Sequence, residues 1–118
     1  MKDSPIFSKT YDLVAWLIPI TVKFPRQQRF VLAATLQQEA IRFQALLIEA
    51  AHPSTTAQDR SAHETLKRAD AELDKLRTHL RLCLDLALLS PGQYEHVARM
   101  LVEIGRLLGG WLRSVASA

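Results

Sequence analysis

The feature that most constrains this chain is a stripe of apolar residues, Leu66, Ala69, Leu73, Leu76, Leu80, Cys83 and Ala87, spaced alternately by three and four. An α-helix closes a turn every 3.6 residues, so this spacing lines one face of a long helix. It is an unbroken heptad seam, and a seam of that kind is stable only when other helices cover it. The pattern predicts a helix from about Asp59 to Leu88, the third in chain order.

Three further stretches can supply the cover. The second helix is predicted from about Pro25 to Ala51, with Ala33, Leu36, Ala40, Phe43, Leu47 and Ala50 stepping by three and four. The fourth starts at Ser90-Pro91-Gly92, with Ser90 as N-cap and Pro91 at the first helical position, and runs to about Val115. Its stripe is Tyr94, Val97, Leu101, Ile104, Leu108, Trp111 and Val115. The first helix begins at Ser4-Pro5 and runs to about Val22, with Phe7, Tyr11, Val14, Ile18 and Thr21 as its inward face. Pro19 lies inside that pattern and predicts a kink or an early stop. Lys23 to Arg26 form a short connection, and Ser54-Thr55-Thr56, after His52-Pro53, reads as the clearest loop.

No segment sustains period-two alternation, which argues against a sheet. Four amphipathic helices with short connections predict an all-α fold, an antiparallel up-down-up-down four-helix bundle. With 118 residues and 48% hydrophobic content, residues 1–118 make one domain able to bury its own core. Val31, Ile41, Ile48, Leu82, Leu86, Met100, Leu107 and Leu112 lie off the seams. They widen the core faces and leave apolar surface for self-association.

Cys83 is the single cysteine, so no intrachain disulfide exists, and its place on the seam makes it a small core residue. Met1 to Pro5 do not read as a signal peptide. The apolar stretch from Leu13 to Val22 is shorter than the about 20 residues a membrane span needs. A cytoplasmic chain with no membrane partner is expected.

The search for chemistry yields little. One Glu-x-x-His pair occurs, Glu49 and His52, at a helix end and without the second copy a di-iron bundle needs. His63, His79 and His96 have no metal-ligand spacing to one another or to Cys83, and they read as surface or boundary residues. No nucleophile elbow or phosphate-cradling loop appears. The expectation is therefore no catalytic residue, no metal and no cofactor. Gly105 and Gly109, four apart on one face, read as a site of close packing against a neighbour.

The arginines are more informative. The formal net charge is only +3, yet no acid occurs between Asp12 and Glu39, while Lys23, Arg26 and Arg29 do. In the expected bundle Arg77, Arg81 and Arg99 lie toward the same end, and Arg99, Arg106 and Arg113 repeat every seven residues along the fourth helix. Glu95–Arg99, Arg81–Asp85 and Glu103 with Arg99 or Arg106 are spaced for local ion pairs. Arg26, Arg29 and Arg113 have no acid three or four positions away. Glu64–Lys67, Glu64–Arg68 and Arg68–Glu72 read as an ordinary solvated face of the third helix. Arginine outnumbers lysine, and its forked donors suit phosphate or carboxylate. Two readings stand side by side: a solvated surface, or a surface for a polyanion or an acidic protein. The aromatics near that end are Phe24, Phe30 and Tyr94, a thin basis for base stacking.

The segment Val102-Glu103-Ile104-Gly105-Arg106-Leu107-Leu108-Gly109-Gly110-Trp111-Leu112 resembles the last helix of Avd proteins, the accessory proteins of diversity-generating retroelements, which carries a Gly-Arg-x-Leu-Gly-x-Trp pattern. Leu76-Arg77-Thr78-His79-Leu80-Arg81 resembles their third helix, Pro25-Arg26 the start of their second, and Ser90-Pro91 the start of their fourth. The resemblance implies a non-enzymatic four-helix bundle that forms a basic, barrel-like homopentamer. Its partners would be a reverse transcriptase and RNA or DNA, and its role would be to support mutagenic cDNA synthesis from template RNA. By position, Arg26, Arg77, Arg81 and Arg106 would be partner-binding residues, with Gly105, Gly109 and Trp111 structural. The wider family also holds bundle proteins encoded in ribosomal-RNA intervening sequences. The alternative expectation is thus a structural or interaction protein without a polymerase partner.

Overall fold

The computed structural model describes residues 4–56 and 59–116. The reading of the first residues as no signal peptide falls partly on residues 1–3, outside the described residues. Four long helices dominate: α1 (Pro5–Val22), α2 (Ala34–Ala51), α3 (Asp59–Asp85) and α4 (Pro91–Ala116). No strand occurs among the described residues. The all-α bundle expected from the heptad seams is the observed fold.

The helices pack as the sides of a square, α1 on α2, α2 on α3, α3 on α4 and α4 back on α1. Along each contact the numbering rises on one helix as it falls on the other. Phe7 meets Trp111 edge-on with centroids 5.9 Å apart, and Trp16 meets His96 at 5.2 Å. Glu39 pairs with His79, and Arg42 with Glu72. The whole is an elongated body of 45 × 24 × 21 Å.

The seams of α2, α3 and α4 lie where the spacing put them. Leu36, Ala40, Phe43, Leu47, Leu66, Leu73, Leu76, Leu80, Val97, Ile104 and Leu108 are all fully or almost fully buried. Cys83 is buried among them. The inward face of α1 is different from the expected one. Ile6, Thr10, Leu13, Leu17 and Thr21 are buried, whereas Phe7, Val14 and Ile18 are half-buried and Tyr11 is exposed. Up to Leu17 the buried face lies one residue before the expected one, with Thr10 in the place expected of Tyr11, while Thr21 is buried as expected. Thr21 is satisfied locally: its Oγ1 donates to the Leu17 carbonyl at 2.9 Å and accepts from Gln37 Nε2 at 2.9 Å. Thr10 Oγ1 is buried with no hydrogen-bond partner among the described residues.

Four other expectations change. Pro19 does not stop α1, which continues to Val22; Pro19 and Ala15 sit on the exposed side, so the carbonyl freed by the missing N–H is open to solvent. The second helix does not begin as α-helix at Pro25. A 3₁₀ turn (Arg26–Gln28) leads into a π-helical turn (Arg29–Ala33) before α2 starts. Ser54-Thr55-Thr56 are not an open loop but part of a single helical turn, Pro53–Thr56. His52 caps it, Nδ1 accepting from the Ser54 backbone N–H at 3.2 Å. Finally, α3 ends at Asp85, not Leu88, and Ala87 is exposed with φ 60°. The end is a Schellman turn: Leu88 N–H donates to the Cys83 carbonyl at 2.8 Å and Ala87 N–H to the Leu84 carbonyl at 3.0 Å.

The start of α4 is as expected. Ser90 Oγ accepts from the Gln93 N–H at 3.1 Å, and Gln93 Oε1 accepts from the Ser90 N–H at 2.9 Å. This reciprocal capping box fixes where the last helix begins.

Candidate functional site

The seven arginines singled out from the sequence lie on the turns between α1 and α2, on α3 and on α4. Arg26 and Arg29 sit on the 3₁₀ and π-helical turns between α1 and α2, both exposed. Arg77 and Arg81 lie one turn apart near the end of α3. Arg99, Arg106 and Arg113 run down the outer face of α4, with Val102 and Gly109 on the same line. At 1.5 Å per residue that row spans about 21 Å.

Four of them hold a carboxylate on their own helix. Arg77 Nη1 donates to Asp74 Oδ1 at 2.8 Å, and Arg81 Nε to Asp85 Oδ1 at 3.2 Å. Arg106 Nη2 donates to Glu103 Oε1 at 2.8 Å, and Arg99 Nη2 to Glu95 Oε1. The hydrogen bond that Arg81 donates to Asp85, with the carboxylate's charge and the nearby Tyr94 adding to it, raises the Arg81 pKa above its ordinary value. All four pairs are at the surface, where solvent screening leaves such contacts little net stability. A phosphate or a partner's carboxylate can therefore displace them at small cost.

Arg26 and Arg29 differ, because none of the ion pairs among the described residues involves them. Arg29 lies against Thr21, Val22, Ala33 and Gln37 on the α1–α2 side. Arg113 folds back along its own helix: a Cβ on Gly109 would lie 3.4 Å from its Nη1.

Gly105 has a clear purpose. A Cβ there would overlap the Arg77 guanidinium, which reaches from α3 onto α4. The side chain leans toward the N-terminus of its own helix, as long helical side chains do. Arg77, Leu80, Tyr94, Ala98, Leu101 and Val102 line a shallow cleft between the two helices. Close packing against a neighbour is thus found at Gly105; at Gly109 the near neighbour is Arg113, not another helix.

Sequence reading missed the polar seam between α2 and α3. Glu39 is 4% exposed, and both its carboxylate oxygens face His79 Nδ1, at 2.8 and 2.9 Å. Below it Glu72, also buried, binds Lys75 at 3.1 Å and Arg42 at 3.5 Å, rather than Arg68. Glu39 falls between Leu36 and Phe43 on the stripe of α2, and that placement was the available signal.

Among the described residues, no group of three or more His, Cys, Asp or Glu side chains is placed to hold a metal ion. None of their helices is long and apolar enough to cross a membrane.

No curated protein matches the chain. One family model, described as bAvd-like, matches residues 5–115, from the first residue of α1 to the last turn of α4. That match covers all four helices and the arginines on them, and the chain belongs to the bAvd-like family.

Proposed function

We propose that this protein is a non-enzymatic accessory subunit of a diversity-generating retroelement. It works in the cytoplasm, binding the reverse transcriptase and its template RNA or cDNA through arginine-bearing surfaces, in support of mutagenic reverse transcription. The observation that carries this reading is the bAvd-like match over residues 5–115. The mechanism is positioning by charge complementarity, with displaceable arginines rather than a reactive group.

The same reading includes self-association, and the exposed apolar residues supply a surface for it. Tyr11 (66% exposed) and Ile48 (43%) share one cleft between α1 and α2. Ile18 and Ile41 (48% exposed) share the next, and Val22 (58%) continues the line. A ring of five copies, as in the resembling proteins, would cover this strip.

The test is co-purification of the protein with its cognate reverse transcriptase, and its binding to template RNA as a function of salt. Affinity that falls steeply with salt is expected, because several phosphates are contacted. Arg77→Ala/Arg81→Ala is expected to weaken partner binding and leave the helical circular dichroism unchanged. Unaltered binding by the double variant would remove these two residues from the site. No binding of either partner would leave the intervening-sequence type of stand-alone bundle.

A further inference from the structure

The turn between α1 and α2 carries two phenylalanines with opposite fates. Phe24 is 4% exposed and closes the end of the core, whereas Phe30 is 88% exposed, the most exposed large apolar side chain described. The π-helical turn Arg29–Ala33 is responsible: it turns Leu32 and Ala33 inward and leaves Phe30 and Val31 in water. Such turns cost hydrogen-bond quality and occur disproportionately at functional sites.

The ring stands in an acid-free stretch. Lys23, Arg26 and Arg29 are all exposed around it in sequence, and no acid occurs between Asp12 and Glu39. The carboxylates that α3 and α4 bring to this end, Asp85 and Glu95, are held by Arg81 and Arg99. An exposed aromatic ring flanked in sequence by cations that form no ion pair among the described residues matches a ligand that offers flat rings and negative charge together. A duplex offers the charge but hides its base faces. An acidic peptide offers the charge and leaves the phenyl ring in water.

We infer that the Lys23–Val31 turn is a binding site for single-stranded nucleic acid, in which Phe30 stacks on an unpaired base while Arg26 and Arg29 contact the flanking phosphates. This rests on the nucleic-acid half of the proposed function, and it assigns Phe30, which that reading leaves out. Stacking on one aromatic ring is sequence-tolerant, so the site accepts any unpaired base.

The test measures binding of the full chain to a single-stranded oligouridine RNA and to a blunt RNA duplex, across a salt series. Phe30→Ala is expected to weaken oligouridine binding about tenfold, within the range that one stacked base contributes. It should leave the salt slope and duplex binding unchanged, and Phe30→Trp should restore affinity. Arg26→Ala/Arg29→Ala is expected to lower the slope of log affinity against log salt by about 1.4, two contacts at about 0.7 each for single strands. Wild-type oligouridine affinity in Phe30→Ala overturns the inference while salt-dependent RNA binding keeps the wider reading intact. Loss of reverse-transcriptase binding alone in that variant reassigns the ring to a protein contact. No RNA binding by the wild-type chain removes the inference and the nucleic-acid reading together, leaving the polymerase contact to be judged by co-purification.

Discussion

The guanidinium of Arg77 lies across the bare backbone of Gly105, so that an arginine from α3 is presented at the surface of α4. Its Nη1 remains bonded to Asp74, one turn back on α3. The glycine determines the arginine's direction, and the two positions form one unit even though they come from different helices.

Gly105→Ala puts a methyl group where the guanidinium now sits. The obstructed group is the far end of a flexible side chain and its ion pair is exposed, so moving it costs little. Alanine is favoured over glycine inside a helix by about 1 kcal/mol. Urea unfolding is expected to show unchanged or slightly higher stability, while partner binding falls in the same direction as for Arg77→Ala. A large loss of stability would show that the contact is structural instead.

His79 faces both oxygens of a buried carboxylate. His79→Ala strands the Glu39 carboxylate, and a buried polar group left unpaired costs about 1–3 kcal/mol, more if charged. Replacing both, as Glu39→Leu/His79→Leu, removes the problem together with the bond and is expected to cost less than the single change. Chemical denaturation of the three proteins orders them; a double variant less stable than His79→Ala would refute the argument.

Cys83 is buried on the seam of α3, and burial pushes its thiol pKa from 9.0 up to about 11. The raised value means the folded chain holds the proton longer than the unfolded chain does. The stabilisation from this group is full below pH 9 and is lost as pH rises from about 9 to 11. Thermal melts over that window should fall, and Cys83→Ala should flatten the fall. At pH 8 the folded protein should resist iodoacetamide, and the unfolded protein should react.

Ala87 closes α3 with φ 60°, a left-handed conformation that a residue with a Cβ adopts at a cost of about 1–2 kcal/mol. Glycine adopts it freely, although it also gains freedom in the unfolded chain. Ala87→Gly is therefore expected to raise stability by about 1 kcal/mol in urea titrations, without altering partner binding.

Ile41→Glu/Ile48→Glu places two charges on the α1–α2 strip. Both side chains are more than two-fifths exposed, so the monomer fold should tolerate the change. Under the self-association proposed above, analytical ultracentrifugation is expected to show an assembly of the wild-type chain and helical monomers of the variant. A variant that sediments as the wild-type assembly would move the surface elsewhere, and a monomeric wild-type chain would remove the self-association reading.

Three of the four helices were legible because their apolar residues leave little choice of face. In α3, polar residues separate the seam positions so completely that one rotation buries Leu66, Leu73, Leu76 and Leu80 together. α1 offered no such contrast. Phe7, Tyr11, Val14 and Ile18 form as good an apolar line as Ile6, Leu13 and Leu17; both lines end on Thr21, and the true one also passes through Thr10. Periodicity penalises a threonine, although one that bonds its own helix, as Thr21 does, buries easily. The end of α3 was hidden because alanine occupies the place where glycine usually marks the turn. Spacing identified the local arginine pairs Arg81–Asp85, Glu95–Arg99 and Glu103–Arg106. It could not identify Glu39 with His79, which are forty positions apart and meet only through the packing of two helices.

The π-helical turn at Arg29–Ala33 amounts to one residue inserted into a helical ladder. Each helical residue advances the chain by about 100°, so the insertion swings everything before it by that angle without disturbing the Leu36–Ala50 stripe after it. The direction faced by Arg26 and Phe30 is thereby set by the turn that also buries Leu32 and Ala33. Adding or deleting a residue at this joint would re-aim Arg26 and Phe30 only by also displacing Leu32 and Ala33, so the facing of the tip and the closing of the core end change together.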